Sequence, residues 1–206
     1  MANPSYIDEA TGELTDGEAW VALGPLDTVN NPLTATATSV TFTDPSDGSS
    51  LDWCQFSDLV VIWYARSAHS IGDDRMQIRL GNGGGVETGN FYAYQNFLGN
   101  GTNRTISSGA GTYTSFLGGN FPGNSAAADA FGCSIVEIQD FNSAKYKSVL
   151  MQTAGDRDGD GRVTWPVGTW LKQDAVKEIQ FFADYGSGFL TGSRFDLFGV
   201  LPRMQM

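Results

Sequence analysis

The spacing of apolar residues constrains this chain more than any other feature. In RMQIRLG, residues 75–81, Met76, Ile78 and Leu80 alternate with Arg75, Gln77 and Arg79. That period of two belongs to a strand with one face buried and one face wet. Similar short segments recur along the sequence, each closed by a turn rich in Gly, Asn or Asp. No stretch keeps a helical period beyond about three turns. The chain therefore reads as all-β.

The strands can be read off in order. TATATSVTFTD at 34–44 is β-branched and stops at Asp44-Pro45. FSDLVVIWYARSA carries Leu59, Val61 and Trp63 on one face and Val60, Ile62 and Tyr64 on the other. Apolar side chains on both faces mark a central strand covered on both sides, and a neighbouring subunit is one candidate cover for Val60, Ile62 and Tyr64. The glycine-rich loop GNGGGVETG leads into NFYAYQNFLG, where Phe91, Tyr92, Tyr94 and Phe97 read as core or subunit-interface residues. Residues 100–130 are poor in charge and rich in Gly, Ser, Ala and Asn, and read as long loops with one or two short strands. Five more strands follow in FGCSIVEIQDF, KYKSVLMQTAG, RVTWPVGTWL, AVKEIQFFADY and SRFDLFGVL. The expected fold is a single jelly-roll-like β-sandwich of about nine or ten strands over residues 31–206. Residues 1–30 carry Asp8, Glu9, Glu13, Asp16 and Glu18 with no Lys or Arg, and read as an extended N-terminal arm.

Charge narrows the partners. A net charge of −11 leaves no basic patch for phosphates, which argues against nucleic acid and against anionic membranes. No apolar run approaches the ~18 residues of a spanning helix, and the N-terminus lacks the pattern of a secretion signal. The two cysteines, Cys54 and Cys133, sit in apolar strand-like surroundings and read as two buried free thiols, with one disulfide as the alternative.

Catalytic patterns are sparse. The one histidine, His69, lies in RSAHSIGDD near Ser67, Ser70 and Asp73, without the elbow motif of a serine hydrolase. The segment Glu137-Ile138-Gln139-Asp140-Phe141-Asn142 resembles the ExDxxE strand of a sandwich glycosidase family, but Gln139 and Asn142 place amides where acids are required. The expectation is a protein without catalytic residues and without a required cofactor.

A metal site has one candidate. Asp156, Asp158 and Asp160, followed by Gly161, match the opening of a calcium loop. The closing bidentate position holds Val167, and strands rather than helices flank the segment. Tandem Asp-Gly pairs are also strong hairpin formers. A hairpin tip is the expected structure, with weak calcium capture as the alternative.

The order of motifs carries a resemblance. DLVVIWYARS, RMQIRLGNGGGVETGNFYAYQNF, VEIQDFNSAKYKSVL and a terminal GSGFLTGSRFDLFGVL together resemble a group of bacteriophage virion surface proteins with a jelly-roll-like sandwich, over roughly residues 50 to 200. The resemblance implies a structural protein of a tailed-phage virion, as capsid decoration, head fibre or tail fibre, often a homotrimer. It implies other virion proteins as partners, such as the major capsid protein or tail components. The protein would then be located in the virion, after assembly in the host cytoplasm. Lacking heptads and a trunk, the chain fits compact decoration better than a free-standing fibre. On that reading the acidic arm lies along a neighbouring subunit, and deleting residues 1–20 abolishes particle binding while the domain still folds. A sugar-binding module of a tail fibre, using loop aromatics on a surface glycan, is the alternative.

Overall fold

The computed structural model describes residues 20–23, 31–49, 51–157 and 159–201. Among these the chain is all-β, with twelve strands and one short 3-10 turn, η1 (Trp53–Gln55). The strands are β1 (Trp20–Ala22), β2 (Ser39–Thr43), β3 (Asp58–Ala65), β4 (Asp73–Gly81), β5 (Tyr92–Gly99) and β6 (Arg104–Tyr113). They continue with β7 (Phe116–Pro122), β8 (Gly132–Ile138), β9 (Lys147–Gly155), β10 (Arg162–Trp170), β11 (Glu178–Ala183) and β12 (Arg194–Val200). Two antiparallel sheets form the sandwich, an eight-stranded one in the order β1-β12-β3-β8-β9-β10-β5-β6 and a four-stranded one in the order β2-β11-β4-β7.

The pairing is nested. β3 pairs β12 in the large sheet, β4 pairs β11 in the small sheet, and β5 pairs β10 back in the large sheet. Successive outer-to-inner pairs thus alternate between layers, as in a long hairpin wound into a jelly roll. The β8–β9 hairpin fills the gap between the β3–β12 and β5–β10 pairs.

Period-two segments behave as their sequence demands. Met76, Ile78 and Leu80 of β4 are fully buried, as are Leu59, Val61 and Trp63 of β3. Aromatic side chains bridge the layers: Trp63 meets Phe121 edge-on at 5.8 Å, and Phe181 meets Phe195 at 5.5 Å. Such contacts add to burial because ring edges and faces carry opposite partial charge. The AVKEIQF segment, ambiguous with a helix in sequence, becomes β11, with Ile179 and Phe181 fully buried.

Four expectations need correction. The strand count is twelve among the described residues, partly because 104–122 holds two full strands instead of long loops. β7, FLGGNFP, is buried along its whole length. Its glycines make this possible: a Cβ on Gly118 would sit 2.9 Å from Ile78 Cδ1, and one on Gly119 2.6 Å from Thr153 Cβ. Side-chain-free positions let the β7 backbone press against both layers, which a composition reading takes for loop. Trp20–Ala22, inside the expected arm, pairs with β12 as an edge strand; residues 1–19 and 24–30 of the arm lie outside the described residues. Finally, Cys54 and Cys133 are free but exposed rather than buried. Cys54 lies in the 3-10 turn, and Cys133 points outward from β8. Tyr92, expected as a core or interface residue, belongs to the core: it is fully buried, its hydroxyl accepting from the Leu80 N–H at 3.1 Å and donating to the Glu87 carbonyl at 2.7 Å.

Candidate functional site

Strand β10 carries the most informative inversion. In RVTWPVGTW, Thr164, Pro166, Gly168 and Trp170 face the interior, while Val163, Trp165 and Val167 face out. The reason lies beneath it. Strand β7 runs so close that a Cβ on Gly168 would meet the Phe116 ring at 2.5 Å, and the Thr164 hydroxyl lies 2.8 Å from the Cβ position of Gly119. Only small side chains fit inward at this level. Val163, Trp165 and Val167 are left on the outer surface, where Trp165 is 58% exposed, while Trp170, past this level, is fully buried.

Neighbouring strands continue the pattern. Paired residues in an antiparallel ladder share a face, so the register defines the surface. Phe97 of β5 lies opposite Trp165, and Ile106 of β6 lies opposite Phe97. On the other side, the β9–β10 register sets Gln152 beside Trp165, and Ile135 of β8 and Ile62 of β3 follow. One row across six strands therefore reads Ile62, Ile135, Gln152, Trp165, Phe97, Ile106. Rows to either side add Tyr64, Cys133, Ala154 and Val163, and Val60, Glu137, Leu150 and Val167. Ile106 is 72% exposed and Phe97 48%.

Trp165 stands as a ridge between two shallow hollows. One, of about 620 Å³, lies against Phe97, Gly99, Arg104, Ile106 and Val163. The other, of about 430 Å³, lies against Ile62, Cys133, Ile135, Gln152 and Ala154. Charge on this face is sparse: Glu137 of β8, partly exposed, lies one row from the centre, and the other charged side chains are at the margins. Arg104 is exposed on β6, while Arg194 and Asp196 of β12 form an ion pair at 2.7 Å. Apolar patches of this extent on a protein surface mark contact sites, because leaving them in water costs about 25 cal/mol per Å².

The interface residues expected from sequence divide. Val60, Ile62 and Tyr64 do lie on this outer face, Val60 already covered and Tyr64 half exposed. Tyr64 stacks on Phe131 at 4.8 Å. Phe91 is half-buried, packed on the core with the Lys172 ammonium 4.6 Å above its ring. Tyr94 points toward the interior side of β5, its ring 5.2 Å from Tyr113, and burial pushes its phenol up. Phe91, Tyr92 and Tyr94 therefore do not join Ile62 and Tyr64 in one surface. Phe97, read from sequence as a core or interface residue, does join them, as do Trp165 and Val163, which were missed. The signal that finds them is the pairing of alternate small residues, Thr164, Pro166 and Gly168, with large ones in a strand of otherwise ordinary pattern.

The other candidates are dispersed. The Ser67 hydroxyl donates to buried Asp74 at 2.5 Å, and His69 Nδ1 lies 3.0 Å from the Ser187 hydroxyl with its ring stacked on Tyr185. Asp73 takes Arg162 at 2.5 Å and the Asn120 amide at 2.6 Å; burial pushes its carboxyl up, against the pull of those two partners. The Ser67 hydroxyl also accepts from the His69 backbone N–H at 3.1 Å, but the His69 ring and the Asp73 carboxylate have other partners and form no relay with it. Asp140 pairs with Lys145 at 2.7 Å, which holds its carboxyl below the usual range.

In the aspartate loop, Asp156 accepts from the Gly159 N–H at 2.8 Å, closing the turn, and Asp160 pairs with Arg157. Asp158 lies outside the described residues. Two of the three carboxylates are thus engaged by the loop itself.

No family model matches this sequence, and no curated protein matches it. Among solved structures, the CBM2 module of the evolved Dit of Lactobacillus casei BL23 phage J-1 aligns over 88% of this chain and 82% of its own, at 11% identity and a TM-score of 0.24. That overlap is too slight to define a common fold.

Proposed function

We propose that this chain is a non-enzymatic structural protein of a tailed-phage virion, a capsid decoration or head-fibre component that acts through the outer face of its large sheet. The observation that carries the reading is the inversion in β10, which presents Val163, Trp165 and Val167 outward across a face almost free of charge. A surface of that kind supports a role in contact with a partner. The resemblance of the ordered motifs from DLVVIWYARS to GSRFDLFGVL supplies the virion context. The test is co-sedimentation of the purified chain with empty capsids and with isolated tails of its phage. Binding to capsids that is lost in Val163→Lys supports the reading, and absence of binding to either particle part refutes it.

A second reading rests on one specific feature. Trp165 and Phe97 lie side by side across β10 and β5, flanked by Gln152 and Gln95 on the same face. Exposed aromatic rings beside amides suit the apolar face and hydroxyls of a sugar. Glycan-array binding lost in Trp165→Ala would favour a receptor-binding role over a decoration role.

A further inference from the structure

The occupant of the apolar face can be named. We infer that it is a second copy of this chain, docked face to face about a two-fold axis running along β9. This rests on the reading of the face as a contact surface, and deepens it by naming the partner.

Three observations support a homotypic contact. The first is shape. An isologous interface must carry both halves of the contact on one patch. Here the ridge of Trp165 on β10 and the hollow at Ile62, Ile135 and Cys133 on β8 and β3 flank β9 on opposite sides. Rotation about β9 sets Trp165 of each copy over Ile135 of the other, and Phe97 over Ile62. A ring trimer needs two different patches instead, which this face does not require.

The second is area. The eight large apolar side chains left on the face are between 38% and 72% exposed. With ~150–250 Å² for a large side chain, these fractions amount to on the order of 700 Å². That is close to the ~800 Å² each partner contributes to a standard stable interface. It exceeds the ~300–600 Å² of the largest patch on an ordinary monomer.

The third is charge. Two molecules of net charge −11 repel one another unless they meet where charge is scarce. Within the central row of this face the side chains are uncharged from Ile62 to Ile106.

The test uses the full chain without a partner. Light scattering after size exclusion should give twice 22.1 kDa, and both Trp165→Ser and Ile135→Lys should give the monomer mass with an unchanged circular dichroism spectrum. The cysteines provide a second measurement. Cys133 lies in the contact, so a thiol reagent should label it at least tenfold more slowly in the assembled wild type than in the Ile135→Lys variant, while Cys54, outside the contact, labels at the same rate in both. A monomer or a trimer overturns the inference, as does a dimer in which Cys133 labels as fast as it does in Ile135→Lys. A monomer that still binds empty capsids through Trp165 overturns the homotypic contact and leaves the virion role standing. A dimer that binds no particle leaves the contact standing and removes the virion role.

Discussion

Replacing Gly119 by alanine tests how the two sheets come together, because this residue sets the approach of β7 to β9 and β10. Two separate costs apply. Gly119 has φ +104°, a conformation that L side chains rarely adopt, and a methyl group there costs roughly 1–2 kcal/mol in backbone energy. The added Cβ would also lie 2.6 Å from Thr153 Cβ and 2.8 Å from the Thr164 hydroxyl. Neither is the free end of a long side chain, since both residues are buried in central strands. Overpacking of that kind costs a further ~1–3 kcal/mol. Gly101 isolates the first cost, with φ +80° and nothing within 4 Å of its Cβ position. Guanidinium titration at 25 °C should show Gly101→Ala losing roughly 1–2 kcal/mol and Gly119→Ala losing about 2–5 kcal/mol. Equal losses in the two variants would refute the packing account and, with it, the reason given for the outward turn of Trp165.

Two further outcomes follow from single residues. Burial pushes the Tyr92 phenol up to about 12, from its ordinary value of 10.0. Because the folded value is raised, its contribution is fully present below pH 10 and is lost as pH rises toward 12. Over that interval wild type should lose roughly 2 kcal/mol more than Tyr92→Phe in urea titrations, and parallel curves would contradict the burial of this hydroxyl. In the aspartate loop, Asp156→Ala should cost about 0.5–1 kcal/mol through loss of the bond to Gly159, with the wild-type thermal midpoint unmoved by millimolar calcium; a calcium-dependent rise of several degrees would restore the metal-site reading.

Much of the fold was legible because it depends on local pattern. RMQIRLG alternates cleanly and became a strand with Met76, Ile78 and Leu80 inside, as expected, and KSVLMQTAG and SRFDLFGVL became strands as read. FGCSIVEI and EIQFFA were recognisable by β-branched and aromatic content. The glycine-rich strand FLGGNFP was not, because its value lies in what it lacks. Its glycines are required by Met76, Ile78 and Thr153, residues distant in sequence that come together only in the sandwich.

The same distinction governs the candidate site. Alternation in RVTWPVGTW is written in the sequence, but alternation alone does not say which face is inside. Local rules assign the larger apolar set inward, since burial of Val163, Trp165 and Val167 would release the most surface from water. The tertiary structure decides otherwise, because β7 occupies the space those side chains would need. The amino-acid sequence by itself determined that this chain is all-β, acidic and built from short antiparallel strands, since those properties follow from composition and period. Which side of β10 faces the core, and hence the apolar surface centred on Trp165, was decided by steric exclusion between strands about fifty residues apart in sequence.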